Sequence, residues 1–61
     1  MTLKKFQEVL KVAGEIAVTS GNPVNEVLDY FRNNGINATP EIAFDFIDEV
    51  VGRFEEAQVN F

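Results

Sequence analysis

The sequence predicts an all-α fold, a compact three-helix bundle with helices over about residues 3–19, 23–33 and 40–58 joined by short capped turns. Three observations predict it. Apolar residues recur at three- and four-residue intervals in each stretch. A Thr or Asn stands before each stretch as a helix-start signal, twice followed by Pro. Glycines close the first two stretches, where a left-handed residue is wanted. Independent local signals agree on the same boundaries, as they do in a sequence that specifies one fold.

The first helix is expected to run from Leu3 to Thr19 with Thr2 as its N-cap. Leu3, Phe6, Val9, Leu10, Ala13, Ile16 and Ala17 form its apolar stripe. Gly14 is placed on the polar side, at a cost of about 1 kcal/mol relative to Ala. Ser20-Gly21-Asn22 ends the helix, with Gly21 available for the left-handed conformation. Asn22-Pro23 starts the second helix, whose apolar side carries Val24, Val27, Leu28 and Phe31, with Tyr30 at the margin. It stops at Asn33-Asn34-Gly35. Ile36 to Ala38 form a link, Thr39-Pro40 gives the third start signal, and Glu41 sits at the positive end of the helix dipole.

The third helix differs from the other two. At about 100° per residue, Ile42, Ala43, Phe44, Phe46, Ile47, Val50, Val51, Phe54 and Ala57 cover an arc of roughly 200°, twice the stripe of an ordinary surface helix. Either the helix lies in the groove between its neighbours and uses the whole arc, or part of the arc is left over. In the second case Phe44 and Val51, with Phe61, form a hydrophobic interaction face covered by a second copy or by another protein. The rest of the helix is acidic: Glu41, Asp45, Asp48, Glu49, Glu55 and Glu56 stand against a single Arg53, a net charge of −5 for the stretch. An acidic helix face serves solubility in the first instance. It could also dock a basic partner.

At 61 residues the chain has room for one domain, residues 1–61, with a thin margin of stability. Such domains often rely on disulfides, a metal or a partner chain. Cys and His are both absent, which removes the first aid and starves the second of ligands. The same absence, with carboxylates spread along an outward helix face, leaves no acid–base or nucleophilic pairing, so no enzyme activity, catalytic residue, cofactor, metal site or small-molecule substrate is expected. The net charge of −5 argues against direct nucleic-acid binding and against an anionic membrane surface. No apolar run approaches the roughly 20 residues of a membrane span, and nothing resembling an export signal follows Lys4-Lys5, so a cytoplasmic location is expected.

Phe31-Arg32-Asn33-Asn34-Gly35-Ile36-Asn37 resembles the turn of a helix-turn-helix. The resemblance implies that the third helix would be the DNA reader, yet its outward residues are acids that repel phosphate. A helix-turn-helix-like relative without DNA binding is what that resemblance supports. Thr19-Ser20-Gly21-Asn22-Pro23 with Tyr30-Phe31 is similar to part of the ubiquitin-associated domains, but the aromatic is one residue out of step and the family's first loop is missing. The reading that remains is a small non-enzymatic protein-interaction module, a regulator or accessory subunit acting as a homodimer or docked on a larger partner. An acidic mimic of nucleic acid, blocking a basic protein, is the alternative.

Overall fold

The computed structural model describes the backbone of residues 1–59 and the side-chain surroundings of residues 1–55. It contains three helices, α1 (Leu3–Thr19), α2 (Pro23–Asn33) and α3 (Pro40–Val59), each packed on the other two. The all-α three-helix expectation holds, and the boundaries agree to within one residue.

The caps explain why. Thr2, in extended conformation, accepts a hydrogen bond from the Lys5 amide through its side chain at 3.1 Å, and its carbonyl accepts the first helical bond from Phe6. Thr39 does the same for α3: its hydroxyl accepts from the Ile42 amide at 3.3 Å and its carbonyl from Ala43. At the end of α2, Gly35 takes φ +80°, the Ile36 amide donates to the Phe31 carbonyl at 2.9 Å, and the Gly35 amide donates to the Arg32 carbonyl at 3.1 Å. That pair of bonds is a Schellman ending, and it needs the residue without a Cβ. Ile36 then packs back on the core, and the Arg32 guanidinium donates to the Ala38 carbonyl at 3.2 Å, fixing the link into α3.

Three local expectations are corrected. Gly21 does not supply a left-handed end for α1. Ser20 closes the helix in extended conformation, its amide donating to the Ile16 carbonyl, while the Thr19 hydroxyl donates to the Glu15 carbonyl. Nor does the Asn22 side chain cap α2. The Ser20 hydroxyl accepts from the Asn22 amide instead, so a serine two residues upstream holds the turn. Gly14 is half-buried rather than on the outer polar side: a Cβ placed there would lie 3.9 Å from Val50 on α3. It borders the apolar stripe at the α1–α3 contact.

The core these helices build is made of small side chains. Among the described residues eight are buried, and four of them are alanines: Ala13, Ala17, Ala38 and Ala43. The largest wholly buried side chains are Val9 and Val27. Phe31 supplies the main aromatic mass, meeting half-buried Phe46 edge-on at 5.3 Å between ring centres. The radius of gyration, 11.8 Å, exceeds the roughly 10.5 Å of a fully compact chain of this length. The first turn of α1 carries Leu3 (72% exposed) and Phe6 (39%), although both belong to its apolar stripe.

Candidate functional site

Where α3 meets the core, it does so along its middle strip. Ala43 is buried, and Phe46, Ile47 and Val50 pack half-buried against the cluster of α1 and α2. Taking about 100° per residue, these four lie within roughly the central 100° of the apolar arc. The groove between α1 and α2 takes mainly that strip. Its two margins are left over.

Phe44 is on one margin and is 59% exposed. Val51, seven residues later and about 10.5 Å further along the axis, is half-buried on the same side. Ile42 stands on the opposite margin, half exposed. Phe54 lies near the middle of the arc, but is 48% exposed because it sits toward the end of α3. Of the sequence-derived hydrophobic face, then, Phe44 and Val51 share a side, and Phe61 lies outside the described residues. Phe54 belongs to the arc but not to the face expected from the sequence; its exposure follows from the three-dimensional extent of the core.

The acids are where the helical spacing puts them. Glu41, Asp45, Asp48, Glu49 and Glu55 are all exposed, and the side chain of Glu56 lies outside the described residues. Among the described residues one ion pair is present, Arg53 to Glu49 at 2.7 Å, both largely in solvent. A pair that exposed stabilises little. The acids divide into two groups by position. Glu41, Asp48 and Glu55 follow one another at seven-residue steps and run alongside Phe44 and Val51. Asp45 and Glu49 lie further round, toward Ile42.

No family model, curated protein or solved structure matches this chain. The site therefore has to be read from its own chemistry. Among the described residues there is no pocket and no convergent group of three metal-ligating side chains. No described helix is long and apolar enough to cross a membrane. What the surface does offer is an apolar strip, Phe44 to Phe54, edged on one side by carboxylates. Chemically such a strip can bury apolar area against another chain and orient that chain by charge.

Proposed function

We propose that this protein is a small non-enzymatic protein-interaction module, a regulator or accessory subunit, which engages another polypeptide through the outward apolar side of α3. One observation carries the reading: half of the described aromatic side chains lie outside a core built largely of small residues. Phe6, Phe44 and Phe54 are exposed while alanines occupy half of the buried positions. A chain with a small core that leaves several large apolar side chains outside has surface suited to a partner.

The test is site-specific photo-crosslinking of the full chain in its native cell, with the photoreactive residue at Phe44, at Val51 or, as a control, at exposed Asn25 on α2. Discrete protein adducts at positions 44 and 51 but not at 25 support the reading, whether the captured chain is a second copy or another protein. Equal or absent adducts at all three positions contradict it. Light scattering across a dilution series then tells a homodimer from a monomer that binds elsewhere.

A further inference from the structure

The outward side of α3 has a spacing that selects the shape of what covers it. Phe44, Ile47, Val51 and Phe54 follow one another at intervals of three, four and three residues, the spacing of a coiled-coil seam. All four are at least partly accessible: Phe44 and Phe54 are exposed, Val51 is half-buried, and Ile47 is half-buried where its inner side packs against the protein's own core. In that register the two flanks of the seam are unequal. One flank is Ala43 and Val50, turned into the protein's own core. The other is Glu41, Asp48 and Glu55, exposed and evenly spaced at seven residues. A helix laid along the seam would meet carboxylates on one edge only.

Resting on the interaction reading above, we infer that the occupant is a basic amphipathic helix of a different protein, apolar at coiled-coil spacing and carrying Lys or Arg at seven-residue steps along one edge. A second copy fits less well, for a reason of charge. Antiparallel pairing of two α3 helices sets one row of Glu41, Asp48 and Glu55 against the other. Parallel pairing sets each acidic row against the partner's Ala43–Val50 flank, which its own core already covers. Each copy also brings a net charge of −5. A basic helix turns the same acidic row from a repulsive edge into an orienting one, and it docks by its apolar side as helices do in grooves.

The experiment titrates the isotope-labelled full chain with a synthetic helical peptide bearing Leu along its seam and Lys on both edges, followed by amide chemical shifts. A second peptide carries Glu in place of Lys. The expected result is saturable shifts centred on Phe44, Asp48, Val51 and Glu55 with the Lys peptide and none with the Glu peptide. The double variant Asp48→Asn/Glu55→Gln should weaken binding about three- to tenfold, two exposed pairs' worth. Phe44→Ala should weaken it more than tenfold, as loss of a central aromatic anchor does. Affinity unchanged in the double variant, no binding, or shifts spread evenly over Glu26, Asp29 and Asp45 would overturn the inference. A free chain that dimerises through Phe44 and Val51 and excludes the peptide would overturn the choice of occupant while leaving the docking face in place. Absent cross-links at positions 44 and 51 would remove the face itself.

Discussion

The second and third helices draw on similar residues and treat them oppositely. In α2 every large apolar side chain finds cover: Val27, Leu28 and Phe31 are buried, and Val24 and Tyr30 half-buried against them. In α3, nearly twice as long, one described residue is buried, and it is an alanine. The difference is geometric. The apolar side of α2 is a stripe of ordinary width, and its two neighbours span it. The apolar arc of α3 is about twice as wide as the strip its neighbours reach. Apolar content alone therefore says little about burial; the width of the arc relative to the groove decides what stays in water.

That contrast can be broken by mutation, and the largest effect should come from α2. Phe31→Ala removes the main aromatic of the core and its edge-on contact with Phe46. The expected loss is about 3–5 kcal/mol, enough to unfold most of so small a domain, read by denaturant titration of the circular-dichroism signal. The same truncation at Phe44 should change stability by less than about 0.5 kcal/mol, because that ring is mostly in solvent already. Equal losses at the two positions would mean that Phe44 belongs to the core and that the contrast is false.

The glycines sharpen the picture at smaller magnitude. Gly35→Ala forces a side chain into the left-handed region at the Schellman ending and should cost about 1–2 kcal/mol in the same titration. Gly14→Ala should do the reverse. It adds helix propensity, and its methyl reaches ordinary contact distance from Val50, for a gain of about 1 kcal/mol. A loss there would contradict the 3.9 Å spacing between the added methyl and Val50.

The frame of the fold was legible because it is written in local chemistry. Thr2, Gly35 and Thr39-Pro40 act on hydrogen bonds within a few residues of themselves, and those bonds form as their side chains dictate. The misreadings have the same physical origin: more than one local solution was available. Ser20 was as able as Asn22 to accept a hydrogen bond in the first turn, and an extended Ser20 made a left-handed Gly21 unnecessary. Ala38, counted as part of a link, is buried because Arg32 and Ile36 draw the link inward. Nor does helical spacing alone decide how much of the α3 arc is covered; both margins, Ile42 and Phe44, are exposed. The arc is a property of the sequence, but its overhang depends on where α1 and α2 end.

The measurement that bears most directly on the account is the cross-linking comparison between Phe44 and Asn25 in the full chain. Both positions are exposed on helices, so they differ in surface chemistry and not in access. Defined protein adducts from position 44, lost when Val51→Lys is added while helicity is retained, are the predicted result. Adducts equally frequent at position 25, or adducts at 44 that survive Val51→Lys, would contradict it.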